Sequence, residues 1–194
     1  MQKLKHALSL AVATGVLGLA APAMAEDVKL GFLGGLTGPI ESMAPGIVAG
    51  AQLAVDQVNA QGGILGGTLS MITADSACDA TGGANAADRL VNTENVTAII
   101  GGLCTGETIG GANAAGIPGG VVMISPASTA PSLTTLEDND LVFRTTPSDA
   151  FQGVKLAELL IAKGIDDVAV TYVNNDYGAG LANAFTTAYE AAGG

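Results

Sequence analysis

Short apolar runs that alternate with helix-patterned segments constrain this chain more than any other feature. The runs are "VKLGFLGG" (28–35), "TLSMITAD" (68–75), "VTAIIGG" (96–102), "GVVMIS" (120–125), "LVFR" (141–144) and "DVAVTYV" (167–173). In the first, Val28, Leu30 and Phe32 share one side. Between the runs, 45–63 places Ile47, Ala51, Ala54, Val55 and Val58 at steps of three and four, the spacing of one helical face. Gly62 and Gly63 are its stop. Segment 82–94, with Ala87, Leu90 and Val91 inward, predicts a second helix, and a short one is expected within 105–115. Segments 147–164 and 177–194 predict two more, with Ser148 and Asp176 as their caps. This alternation predicts an α/β fold, a parallel sheet flanked by helices.

The first 25 residues read as a secretory leader. Lys3, Lys5 and His6 give a positive start, 7–21 is an apolar run, and Ala23-Met24-Ala25 is a cleavage pattern. The run is shorter than the roughly 20 residues of a spanning helix. An exported, soluble protein, not spanning a membrane, is expected, with a mature chain of 169 residues. That chain keeps five basic residues against 18 acids, a net charge of −13. Such a charge argues against nucleic acid and anionic membranes as partners.

His6 is the only histidine and lies in the leader. A Ser-His-Asp or Cys-His site and a histidine zinc site are therefore excluded from the rest. Neither G-x-G-x-x-G nor G-x-x-x-x-G-K-[ST] occurs, so nothing predicts a nucleotide or other cofactor. Two cysteines are too few for a zinc or iron–sulfur site. In an exported chain, Cys78 and Cys104 suggest a disulfide, with two separate buried thiols as the alternative.

In an open parallel sheet, ligands bind beyond the carboxyl ends of the strands. Those ends are "GGLTGP" (34–39), "GGLCTGET" (101–108), "SPAST" (125–129) and "NNDYGAG" (174–180), all rich in glycine or hydroxyl residues. Thr105 stands where a helix would start, a position that favours a carboxylate. Thr129 adds a hydroxyl and an N–H, and the carbonyl of Ala127 could accept from an ammonium. Together they would hold an amino-acid zwitterion. Plain helix capping is the alternative for both threonines.

These stretches resemble the solute-binding proteins of branched-chain amino acid ABC transporters, the Leu/Ile/Val-binding type. The resemblance rests on "GGLTGPIESMAPGIVAGAQLAVDQVNAQGGILG", "ADSACDA…GGLCTGET", "MISPASTAPSLTT" with "VFRTTPSDAFQG", and "NNDYGAGLANAF". It implies two α/β lobes around a cleft, the first over 26–146 and the second begun at 147–194. It implies ligand contacts at Thr105, Ala127 and Thr129, a cleft tyrosine at Tyr177, and a side-chain pocket lined by Leu103 and Cys104. It places a disulfide at Cys78–Cys104, and a membrane permease and an amino acid as partners. Three departures stand out. Thr105 replaces a serine, Met43 replaces an aromatic, and the second lobe is incomplete. The expected function is periplasmic binding of an aliphatic amino acid, without catalysis. The alternative is a binding protein or sensor for amides, urea or another small carboxylate. A rival from another class is an exported enzyme using Asp75 or Asp176 as acid and base.

Overall fold

In the computed structural model, which describes residues 26–194, five strands form one parallel sheet in the order β2-β1-β3-β4-β5. The expected leader falls outside the described residues. The strands are β1 (Val28–Gly34), β2 (Leu69–Asp75), β3 (Ala98–Gly101), β4 (Val122–Ser125) and β5 (Val142–Arg144). The helices are α1 (Ala44–Ala60), α2 (Ala80–Asp88), α3 (Thr105–Gly111), α4 (Ile117–Gly119), α5 (Asp149–Ala162) and α6 (Asp176–Ala191). π-helical turns extend α2 over Arg89–Thr93 and join α3 to α4 over Ala112–Gly116. The polar connection expected over 132–140 contains a 3-10 turn at Pro131–Thr135.

The parallel register brings the strand ends to one edge. Gly34 pairs with Asp75, Leu33 with Gly101, and Ser125 with Arg144. The loops after β1, β3 and β4 therefore share that edge, as the sequence implied, and the loop after β2 joins them; the fourth expected loop, 174–180, follows no strand of the sheet.

One face of the sheet is covered by α2 and the turns after α3. Leu33, Leu90, Ile99 and Met123 are almost completely buried there. Each such side chain contributes roughly 1.5–3 kcal/mol by burial. On the other face α1 covers Phe32, which is fully buried with Ala44 and Leu103. That cover does not reach the far strands. Phe32 is level with Ile100, Ile100 with Ile124, and Ile124 with Phe143, so one apolar row crosses the sheet. At its end Ile124 is 43% exposed and Phe143 50% exposed.

Helices α5 and α6 form a separate cluster around Ala157, Phe185 and Tyr189. They approach closely because position 153 is glycine. A Cβ there would stand 2.6 Å from the backbone of Ala184. Ser148 caps α5 as expected, its hydroxyl accepting from the Ala150 N–H at 3.3 Å.

Two expectations fail in this region. Residues 167–173 form no strand. A strand exists through its ladder of cross-strand bonds, and the sheet ends at β5. Val168, Val170, Tyr172 and Val173 stay exposed. The cap of α6 is Asn175, not Asp176. Asn175 is extended, and its Oδ1 accepts from the Gly178 N–H at 2.9 Å, while Asp176 is the first helical residue.

Candidate functional site

The loops after β3 and β4 are built as one unit by buried hydroxyl groups. Ser125 ends β4 and is fully buried. Its Oγ donates to the Gly102 carbonyl at 2.6 Å and accepts from the N–H groups of Ser128 at 2.8 Å and Ala127 at 3.2 Å. Ser128 Oγ lies 2.7 Å from Thr108 Oγ1. These bonds fold "SPAS" into a turn and tie it to the start of α3. Buried hydroxyls need partners, and here the two loops satisfy each other.

Thr105, the first residue of α3, differs. It is only 1% exposed, and among the described residues its Oγ1 has no hydrogen-bond partner. A buried hydroxyl left in this way costs about 1–3 kcal/mol. Thr129 is half-buried and donates its hydroxyl to Asp149 Oδ2 at 2.8 Å. Its carbonyl accepts from the Asp149 N–H at 2.9 Å and from Arg144 Nη1 at 3.0 Å. Ala127 is half-buried beside the cluster of Phe32, Ala44 and Leu103. Thr105, Ala127 and Thr129 thus stand on two loops that are bonded directly to each other.

The other expected residues lie around this pair of loops. Leu103 is buried within the α1-side core. Cys104 is bonded to Cys78, with a Cα separation of 5.5 Å, in agreement with the sequence expectation. Cys78, Cys104 and Glu107 bring potential metal-ligand atoms within 4.8 Å of one another. Both sulfurs are spent in the disulfide and offer no thiolate. Met43, just before α1, is 65% exposed. Tyr177, in the first turn of α6, is 43% exposed. That turn meets α3, since a Cβ at Gly106 would stand 3.0 Å from Asp176 Oδ2.

Three residues that sequence reasoning passed over complete the structure. Glu107 is fully buried. Its carboxylate accepts from the N–H groups of Leu103 and of Cys104, the latter at 2.9 Å, and from the Ser76 hydroxyl. Burial pushes its carboxyl above the usual range, against these three hydrogen bonds, and the Asp75 charge adds to the rise. Position 83 is glycine because α2 crosses the Glu107 backbone there. Buried Asp149 holds Thr129 as described. The signal for Glu107 was legible: a helix start with Glu at its third residue is the capping pattern, here with Cys in place of Ser or Thr.

Asp75, the acid of the enzyme reading, staples the loop after β1. It accepts from the N–H groups of Leu36, Thr37 and Ala77 and from the Thr37 hydroxyl at 2.6–3.1 Å. Burial pushes its carboxyl up, but the four bonds outweigh that and hold it below the usual carboxylate range.

Two cavities lie elsewhere. One, of about 510 Å³, runs between α1 and β2 and is lined by Leu36, Ala44, Val48 and Met71. The other, of about 240 Å³, lies between 166–170 and the end of α6. Among the described residues no helix is long and apolar enough to cross a membrane.

A family profile described as "Periplasmic binding protein" matches residues 27–194. The Leu/Ile/Val-binding protein of Escherichia coli K12 is 35% identical over 163 residues, 84% of this chain and 44% of that protein. A leucine binding protein LivK from Thermotoga maritima is 31% identical, with a TM-score of 0.76 over 86% of this chain and 47% of that one. The branched-chain amino acid transporter substrate binding protein LivJ from Streptococcus pneumoniae, solved with isoleucine, is 30% identical, with a TM-score of 0.76 over 85% and 47%. The chain spans about half the length of the curated relatives it matches.

Proposed function

This chain belongs to the periplasmic binding protein family, and we propose that it binds an aliphatic amino acid in the periplasm and passes it to the permease of an ABC transporter. The first-lobe loops (26–146) hold the amino-acid backbone, and the region from 147 supplies the facing side. Thr105 and Thr129 take the ligand carboxylate, and the Ala127 carbonyl takes the ammonium. Tyr177 faces the ligand from the second region. Met43, Leu103 and Cys104 border its side chain. The protein performs no reaction; binding and release are its work. The names of the relatives, which bind leucine, isoleucine or valine, support the ligand class.

The observation that carries this reading is the Thr105 hydroxyl. The loops satisfy their other buried hydroxyls at Ser125, Ser128 and Thr108, yet leave this one unpartnered. A ligand carboxylate accepting from it would offset the burial cost.

Calorimetric titration of the chain with leucine, isoleucine, valine, small amides and urea tests the reading. Binding of the aliphatic amino acids, weakened roughly tenfold or more by Thr105→Val, is expected. Binding of amides or urea alone would move the assignment to the alternative. Binding that is indifferent to Thr105→Val would remove the site from these loops.

A further inference from the structure

Glu107 makes none of the ligand contacts proposed above, yet it is enclosed directly beneath them. One carboxylate ties the loop 101–104, the first turn of α3 and the β2–α2 loop together, through Leu103, Cys104 and Ser76. Thr105, with its unpartnered hydroxyl, is two residues away. The two ion pairs among the described residues, Arg89–Glu94 and Lys155–Glu158, do not involve Glu107.

The charged groups around it carry its own sign. Asp75 stands at the end of β2, Asp79 caps α2, and Asp176 opens α6 against Gly106. Cys78 and Cys104 are bonded to each other and do not titrate. Residues 26–194 contain no histidine. A negative charge on Glu107 is therefore repelled by Asp75 and stabilised by its hydrogen bonds and its place in the first turn of α3. Burial already holds its carboxyl above the usual range.

We propose that Glu107 is a positioning residue that links a proton to ligand binding: it fixes the loop that carries Thr105, and it supports a ligand carboxylate there better with its proton than without. This inference rests on the amino-acid reading given above. Its sign follows from like charges. A ligand carboxylate beside Thr105 makes ionisation of Glu107 harder, so the complex holds the proton more tightly than the free protein. Binding takes up protons, and affinity falls as pH rises between the free and bound pKa values. No histidine titrates across that window.

The test is leucine affinity of the chain, measured by amide NMR from pH 5 to pH 8.5, for wild type and Glu107→Gln. Glutamine keeps the volume, an oxygen for the Leu103 and Cys104 N–H groups, and an amide for Ser76. Wild type is expected to lose about tenfold in affinity across the range, the effect of one pKa unit between the two states. Glu107→Gln is expected to stay near the low-pH value throughout. Equal pH profiles in the two proteins would overturn the proposal alone. Absence of amino-acid binding at every pH would overturn the proposed function and this inference with it. A second measurement needs no variant: the Glu107 carboxyl carbon shift is followed against pH with and without leucine. A titration moved upward by leucine supports the link, and an unmoved one refutes it.

Discussion

Residues 28–144 and residues 147–194 have similar sequence patterns and different structures. In the first region each apolar run finds a neighbouring strand, and the sheet buries Phe32, Leu33, Ile99 and Met123 almost completely. In the second, two well-patterned helices form but the run between them pairs with nothing, and Val173 is 66% exposed. Helices satisfy their backbone internally and need only a partner for one face. A strand leaves its N–H and C=O groups open until another strand arrives. The same local signal therefore gives a strand at 28–34 and an exposed segment at 167–173.

The largest test of this contrast is a pair of truncations, one in the core and one in the unpaired segment. Leu90→Ala empties a fully buried site and is expected to cost about 2–5 kcal/mol in denaturant unfolding. Val170→Ala, in the unpaired segment, is expected to change stability by less than about 0.5 kcal/mol. Equal losses would mean that 167–173 is held as firmly as the sheet. The next effect is the disulfide. It closes a separation of 26 residues, and replacing Cys78 and Cys104 by alanine is expected to cost about 3 kcal/mol in the same measurement.

Smaller effects separate the proposed binding edge from the scaffold. Thr105→Val removes an unpartnered buried hydroxyl at constant shape, so it is expected to stabilise the free protein by about 1 kcal/mol while weakening leucine binding. Opposite signs for folding and binding are what a ligand contact predicts, and a loss of both would point to a structural hydroxyl. Asn175→Ala removes the α6 cap and is expected to cost about 1 kcal/mol in the second region, read as faster amide exchange in the first turn of α6.

The pH response divides by direction. Asp75 and Asp27 have carboxyls held low, Asp27 chiefly by hydrogen bonds from Thr68. Their contribution is present above the usual carboxylate range and is lost as pH falls through their depressed values. Glu107 acts oppositely. Its raised carboxyl favours the folded state below the usual glutamate range, and that contribution is lost as pH rises through the folded value. Asp75 and Asp27 are solvent-accessible, so salt and water reduce their share. Denaturation midpoints followed across pH in wild type and Glu107→Gln separate the two directions.

The fold of the first region was legible because hydrophobic period and loop chemistry agreed from element to element. The disulfide was suggested by the cysteine count in a chain expected to be exported, and placed by the family resemblance. What stayed hidden depended on three-dimensional approach. In the sequence Ser125 and Ser128 are only two members of a hydroxyl-rich strand end; the fold shows that they hold the loops together. The capping pattern marks Glu107 in the sequence but not its burial, and nothing there singles out Asp149. Only the fold shows that both are buried. The displaced cap, Asn175 for Asp176, shows how one residue decides which side chain reaches the third N–H of a helix.

The measurement that tests the central claim most directly is an amide NMR titration of the chain with leucine. The account predicts dispersed peaks for 28–144 and leucine-induced shifts concentrated at Thr105, Ala127 and Thr129. Dispersed peaks that stay fixed at high leucine concentration, or that move around Leu36, Val48 and Met71 instead, would contradict it.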